Sequence, residues 1–597
     1  MRNLTGLTSH AVIALLTVCA AFHLYTAAFG VFTTLLQRSL HLVLLVPVCF
    51  LFYPATARSP QDRPSVFDWI WAGLAAAAEL FVVIDHERIY TRMEHLTKLL
   101  DAELVFGSLA IIVIIEAARR CVSRVLAVIT TLSLLYMLIG HWPVFGYFRH
   151  PEIPFQRVIE QLYLLGEQGV HGVVVGVSAT YVFLFVLFGA FLIHTNVGNY
   201  IIDLASTLFG RSKGGPAKVA VASSCLFGSI SGSGPANVYA TGSFTIPLMK
   251  RMGYQPHFAA AVESAASTGG QYMPPVMGAV GFIIAEVTGT PYYEVCRQAV
   301  VSALLYYFAI LCMVQFEANK VGLKGIPQDD LKSWAYLSRN FYLISPILMI
   351  LGMIILKYTP FMAAFTGICL AFLLSFVSKE TWLTPKRLIM VLADGSRNAI
   401  MIAVACSSVG IVAASVIYTG VGLQLTSLVM TVAQHSIYLA PLLTMIICIA
   451  LGMGVPCVPA YVVTGVITLP IMTKLGFTGL GPHLFILYYA VIASVTPPVA
   501  VSAYAAASIA GSNPMSTAFT AARVAFVGFV VPFMLLFNDS LLLIGGLGRI
   551  LISIALACLV VILGAMGLIG YYRNKLRPLV RGLCLAGCAG CIYLIVS

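Results

Sequence analysis

The chain has 597 residues, 60% of them hydrophobic and 9% charged, where a soluble globule carries roughly a quarter charged. Apolar runs of about 20 residues, the thickness of a bilayer core, recur along nearly the whole length and exclude a soluble fold: the expectation is an all-α polytopic membrane protein. The formal charge of +12 lies in short segments between those runs, where Lys and Arg act as topology signals, which argues against nucleic-acid binding.

The first run, Ala11 to Phe32, is too long for the core of a secretory signal and leads into another apolar run, so it reads as a first span. Further apolar segments fall at 39–53, 67–85, 103–118, 121–140 and 170–195. The stretch 219–248 is interrupted centrally by Gly and Pro. Segments at 256–287, 295–316, 340–356, 361–377 and 398–417 follow, then a second interrupted stretch at 437–473. The last segments are 483–510, 517–537, 541–571 and 582–596. The 14 cysteines are scattered through these runs, which speaks against a disulfide framework. Cys584, Cys588 and Cys591 have a spacing that can hold an iron–sulfur cluster, but among Leu, Ala and Gly they read as close helix packing.

The two interrupted stretches read as hairpins that enter the membrane and return on the same side, a form tolerated where protein or water covers the backbone. With the N-terminus inside and both hairpins re-entrant, the inside loops collect Arg119, Arg120, Arg124, Arg211, Lys213, Lys250, Arg251, Lys386 and Arg387 among others. The outside loops keep few cations, such as Arg88, Arg92, Lys357 and Lys474, as the positive-inside rule requires.

An internal repeat is the most informative feature. The string TGSFTIPLMKRMGY starts at Thr241, and TGVITLPIMTKLGF starts 223 residues later at Thr464. The same shift carries Pro274–Pro275 onto Pro497–Pro498 and Pro291 onto Pro514. The identities fall on Thr, Gly and Pro, the residues that break helices, so this is duplication rather than shared hydrophobicity. An odd number of crossings between the hairpins turns the second copy upside down, a construction typical of secondary transporters.

Each repeat has two breaks, a hairpin tip and a later Pro-Pro interruption. They are Gly228–Asn237 and Ser267–Pro275 in the first repeat, and Leu451–Tyr461 and Ala493–Pro498 in the second. Breaks at membrane depth free backbone carbonyls and amides that must find partners. With hydroxyls from Ser231, Ser233, Thr268, Ser494 or Thr496, such carbonyls suit a hard monovalent cation such as Na⁺, and half-helix N-termini suit an anionic substrate. Asn237 can donate and accept beside the first tip, as a substrate contact or as an ordinary helix cap. Glu263 is a lone acid in an apolar span, which reads as a proton or ion site, or as a protonated or paired residue near a helix end. There is no G-x-x-x-x-G-K-[ST], no H-E-x-x-H and no G-x-S-x-G around the tip, so the chain is expected to be no enzyme and to draw on an ion gradient rather than ATP.

At these motifs a resemblance becomes specific. GSISGSGPANVYATGSFTIPLM, STGGQYMPPVMGAVGFI and SVTPPVAVSAYAAASIAGSNPM resemble the permease of tripartite ATP-independent periplasmic (TRAP) transporters, nearest the TAXI type with fused small and large membrane subunits. The resemblance runs from about 166 to 537. It implies a small-subunit-like scaffold at 1–165, a large-subunit-like region at 166–545 with repeats at about 170–320 and 398–537, and added C-terminal helices at 546–597. It implies an elevator-type fold in the bacterial inner membrane, N-terminus cytoplasmic, importing a small carboxylate with Na⁺ (or H⁺) as coupling ion and no organic cofactor. A periplasmic TAXI-type substrate-binding protein is the implied partner.

Carried onto this chain, the first ion site would use Ser231, Gly232, Ser233 and Gly234 with Thr268, Gly269 and Gly270. The second would use Gly452, Gly454, Ser494 and Thr496. The substrate would meet Ser233, Pro235, Asn237, Pro275, Pro456, Pro459, Tyr461 and Pro498. The second tip, Gly-Val-Pro-Cys-Val-Pro, carries fewer hydroxyls than the first. Two other readings stay open at this point: a stand-alone ion-coupled carboxylate symporter, and more remotely an intramembrane hydrolase pairing Ser231 or Ser233 with His171 or His257.

Overall fold

The computed structural model describes residues 2, 4–56, 58–433 and 437–596. Among the described residues there is no strand, and the one β contact is an isolated bridge between Tyr571 and Lys575. Eleven of the described helices are long and apolar enough to cross a bilayer, or twelve if the bent pair Gln328–Arg339 and Phe341–Ile355 counts as one span. The protein is an all-α polytopic membrane protein.

The chain divides into two compact units. The first holds the described residues up to Thr195, together with Tyr358–Ala440 and Val458–Ile471. Its central element is the helix Pro385–Thr419. The apolar run visible in the sequence begins only at 398, but hydropathy reports contact with lipid, not helicity. Thr384 caps the helix by accepting from the Arg387 amide, and Pro385 occupies its first turn, where a missing N–H is harmless. Small residues line its middle, and hydroxyls bind it to its neighbours: Ser396 donates to the Leu16 carbonyl at 2.8 Å, Ser407 to Val170 at 3.1 Å and Ser415 to Ser133 at 2.6 Å. This is the polar and small-residue packing that helices need in lipid, where apolar burial gives little association energy. At one end of this unit, Asp68 takes Arg2 at 2.7 Å and Arg120 at 2.6 Å, all three side chains being buried.

The second unit holds Asn196–Lys357, Pro441–Cys457 and the described chain from Met472 onward. The apolar segments 256–287 and 483–510 each resolve into two helices, Pro256–Gly269 with Gly278–Thr288 and Gly481–Ile492 with Val501–Ala510. The breaks fall at the two Pro-Pro pairs, and both Pro-Pro bonds are cis. The last two helices, Leu547–Ile569 and Pro578–Val596, pack together through small residues, with Cys588 Sγ directed to the Val560 carbonyl at 3.5 Å.

Among the described helices of ten or more residues, two, Val197–Phe209 and Val421–Ala433, have no counterpart among the predicted apolar segments. Each precedes one of the two interrupted stretches. In the first, Val197, Tyr200, Ile201 and Ala205 are buried while Asn199 and Asp203 interrupt the run. An apolar face with period 3.6 is invisible to a search for continuous hydrophobicity and visible to a search for periodicity.

Candidate functional site

The stretch 219–248 is a helical hairpin. Its arms are Gly215–Ser231 and Gly234–Arg251. Gly232 ends the first arm in the left-handed conformation, φ +63°, with its amide on the Gly228 carbonyl at 3.2 Å. Ser233 is extended, and Pro235 lies in the first turn of the return arm. The Asn237 amide nitrogen donates to the Ser224 carbonyl at 3.0 Å, and Ser224 and Thr241 hydroxyls meet at 2.9 Å, so the arms run antiparallel side by side. The return arm buries Gly234, Asn237, Val238, Thr241, Gly242, Thr245, Ile246 and Met249, while Tyr239 and Phe244 are exposed. Its polar stripe faces inward, the reverse of a water-soluble amphipathic helix.

The tip touches the first break backbone to backbone. A methyl group on Gly232 would lie 2.7 Å from the Gly278 Cα, and one on Gly270 would lie 2.4 Å from the Gly228 carbonyl carbon. Next to Gly234, a methyl would meet Gln271 Nε2 at 2.9 Å, Ser502 Oγ at 2.9 Å and Thr268 Oγ1 at 3.3 Å. Thr268 and Ser494 hydroxyls are 3.3 Å apart, as are those of Ser502 and Ser494, and the Ser502 amide donates to the Ser494 carbonyl at 2.9 Å. Hydroxyls from the breaks of both repeats thus gather beside one hairpin tip. Ser231 Oγ and Asn237 Oδ1 are buried with no partner among the described residues, and buried oxygens without partners are rare in folded proteins. Neutral oxygen donors of this kind suit a hard monovalent cation. Met277 and Ala500, related by the repeat, precede the helices after the two breaks with φ of +56° and +31°. Non-glycine residues held there cost of order 1–3 kcal/mol and cluster at functional sites.

The remaining predicted positions are distributed as follows. Gly269 lies against the Tyr306 ring, where a methyl would come within 2.5 Å of Cε1, so it serves packing. Thr496, in the break after the helix Gly481–Ile492, donates back to the Ile492 carbonyl at 2.8 Å. At the second tip, Gly452 faces Ala493, which brings it beside the second break, and Gly454 is left-handed at φ +74°. The Pro275 carbonyl accepts from Tyr292 at 2.9 Å, and that of Pro498 accepts from Tyr504. Pro456 closes the second tip before the helix Cys457–Lys474; Pro459 and Tyr461 are buried in that helix, in the part that belongs to the first unit. Glu263 is fully buried among four hydroxyls. Both His171 nitrogens are engaged, with Glu79 at 2.7 Å and the Tyr163 carbonyl at 2.8 Å. His257 starts the helix that reaches the tip only at Thr268, about 16 Å away at 1.5 Å per residue. Gln271 and Ser502 join the cluster without having been predicted. For Ser502 a signal existed, since it opens the helix after the second Pro-Pro pair.

A family profile described as the tripartite ATP-independent periplasmic transporter, DctM component, matches residues 109–549. The chain belongs to that family. Its members are transporters, not enzymes. The isethionate TRAP transporter permease protein DctMQ of Oleidesulfovibrio alaskensis is 26% identical over 344 residues, 55% of this chain and 52% of that protein. The C4-dicarboxylate TRAP transporter large permease protein DctM of Pseudomonas aeruginosa is 31% identical over 223 residues, 36% of this chain and 51% of that protein. The sialic acid TRAP transporter large permease protein SiaM of Vibrio cholerae is 24% identical over 339 residues, covering 56% and 77% respectively. The chain thus spans about half the length of the first two of these relatives.

Proposed function

We propose that this chain is the membrane permease of a TRAP-type secondary active transporter of the TAXI type. It imports a small organic acid across the bacterial inner membrane, N-terminus cytoplasmic, driven by a Na⁺ or H⁺ gradient and supplied by a periplasmic substrate-binding protein. The observation that carries this reading is the meeting of one hairpin tip with broken helices from both sequence repeats, lined by neutral oxygens. In the proposed mechanism the hairpins enter the membrane and return on the same side, and move with the broken helices as an elevator. Ion binding at Thr268, Ser494, Ser502 and the first tip draws the tip onto the breaks and so completes the substrate site. Half-helix N-termini and Asn237 hold the carboxylate, since no Arg lies in any of the four breaks. The relatives named for isethionate, C4-dicarboxylate and sialic acid support an organic acid as cargo.

The deciding experiment is uptake in proteoliposomes with a periplasmic solute-binding protein, sought among the genes adjacent to this one and purified with its bound ligand. Uptake is expected only with both that protein and an inward ion gradient; equal uptake without the soluble protein sinks the tripartite reading in favour of a stand-alone symporter. A second expectation concerns Ser502→Ala. The alanine fits the same space but removes one oxygen, so the Na⁺ needed to raise the thermal midpoint should increase about tenfold, equivalent to about 1.4 kcal/mol. A Na⁺ response identical to the parent would take Ser502 out of the site.

A further inference from the structure

Among the described residues, Glu263 has four hydroxyl donors and no cation within salt-bridge distance. Oε1 accepts from Ser224 at 2.7 Å, Thr241 at 2.6 Å and Ser267 at 2.9 Å, and Oε2 accepts from Thr245. Ser224 lies on the first arm of the hairpin, Thr241 and Thr245 on the return arm, and Ser267 on the acid's own helix, so the carboxylate holds three helices together. Among the described residues it forms no salt bridge. On the elements packed against its helix, the titratable groups turned toward it are Tyr307 and, beside Tyr307, Cys225. Tyr306 and Tyr307 donate to the Ala265 and Ala266 carbonyls at 2.9 and 2.8 Å. The cations of those elements are directed elsewhere: Lys218 donates to Ser212 at 3.0 Å, Lys250 to the Ala510 carbonyl at 2.7 Å, Arg297 to Glu294 at 2.8 Å and Lys320 to Glu317 at 3.0 Å, while Arg251 and Arg523 are exposed. Hydroxyl dipoles offset part of the cost of a buried carboxylate, but an ion without a countercharge in a low-dielectric interior is costly.

Two of the four donors have a backbone carbonyl within reach as a second acceptor. The Thr241 hydroxyl is 2.9 Å from the Asn237 carbonyl, and that of Thr245 is 3.1 Å from the Thr241 carbonyl. They can turn from the acid to their own helix without stranding a polar group. The second repeat displays that alternative. Thr464 and Thr468, the counterparts of Thr241 and Thr245, donate to the Ala460 and Thr464 carbonyls at 2.7 and 2.8 Å. The counterpart of Glu263 is Ile486, also buried. Where no acid is present, the same threonines rest on the backbone.

We propose that Glu263 is a proton-binding site, present in the first repeat alone, whose loading changes how the hairpin is held. A proton from water adds to one carboxylate oxygen and gives a neutral acid whose O–H donates to a neighbouring hydroxyl oxygen. Thr241 and Thr245 then turn to their own carbonyls, and two of the links between the return arm and the helix Pro256–Gly269 are released. Loss of the proton restores all four links. The consequence for coupling rests on the transport function proposed above; the site itself does not.

The test uses infrared difference spectroscopy on the purified full chain in detergent, which needs no transport. The wild-type protein should show a protonated-carboxyl band that appears reversibly as the pH is lowered and is absent from Glu263→Gln. Thr245→Val, which removes the donor to Oε2, should displace the band in frequency, whereas Thr468→Val, its counterpart in the second repeat, should leave it in place. The proposal is overturned by a wild-type protein without the band over the whole pH range in which it stays folded. It is equally overturned by a band that survives in Glu263→Gln, or that ignores Thr245→Val. In proteoliposomes, stimulation of uptake by an imposed pH gradient should be lost in Glu263→Gln. A wild-type protein that shows the band but takes up no substrate counts against the transport reading and still supports the proton site.

Discussion

Gly270→Ala should abolish ion-driven uptake while leaving the chain folded and inserted. The added methyl would lie 2.4 Å from the Gly228 carbonyl carbon and 2.5 Å from its Cα. Those are backbone atoms, which cannot rotate aside as a side-chain end can, so the tip and the first break must separate. Overpacking of this kind costs about 1–3 kcal/mol, well within what a large membrane helix bundle tolerates, yet a shift of a few tenths of an ångström breaks up the oxygen cluster around Gly234. Gly232→Ala should act the same way: its methyl meets the Gly278 Cα at 2.7 Å, and its φ of +63° suits glycine. Uptake is expected to fall by more than about tenfold in each variant, a barrier or affinity change of at least about 1.4 kcal/mol. Unchanged uptake in both variants would show that the tip does not need to touch the break. Gly511→Ala is a fitting control, because its φ of +66° is similar but nothing lies within 4 Å of the added carbon.

Asp68→Ala should be the most destabilising single change in the first unit. Asp68 accepts from Arg2 at 2.7 Å and Arg120 at 2.6 Å, and it caps its own helix by taking the Ser65 amide at 2.8 Å and hydroxyl at 2.7 Å. Arg2 in turn donates to the Pro60, Phe50 and Leu51 carbonyls, which ties the start of the chain to two other segments. Removing Asp68 leaves the buried Arg2 without a countercharge, while Arg120 keeps Glu116 at 2.7 Å; breaking a buried pair in this way costs about 3–5 kcal/mol. The measurement is the thermal midpoint of the purified protein in detergent. Lys320→Ala is the comparison: Lys320 pairs with Glu317 at 3.0 Å but is 46% exposed, and an exposed pair contributes about 0–1 kcal/mol. Equal small drops in the two variants would mean that the Asp68 cluster is not a structural anchor.

Glu263, Ser502 and the two unpredicted helices show different limits of reading the chain residue by residue. Glu263 stands out in sequence because an acid in an apolar run is costly wherever it points, but its four donors come from three helices and cannot be inferred from neighbours in the chain. Ser502 is one serine among many, and its position opposite Gly234 depends on how a helix of the second repeat packs against the hairpin of the first. Val197–Phe209 and Val421–Ala433 were legible in principle, since a one-sided apolar pattern is a local property; a search for long hydrophobic runs overlooks them. The return arm of the first hairpin was legible as a broken apolar stretch, yet its inward polar stripe of Asn237, Thr241 and Thr245 reverses the usual rule, because lipid and not water surrounds the bundle.

Membrane insertion, duplication and the places where helices break are determined by the sequence alone. The length of an apolar run, the missing N–H of proline and the freedom of glycine act on the backbone where they stand. Tertiary structure alone decides which breaks meet. Thr268 and Ser494 are separated by 226 residues and lie 3.3 Å apart. No local preference of either residue encodes the other, and only the packing of the two copies brings their oxygens to one tip.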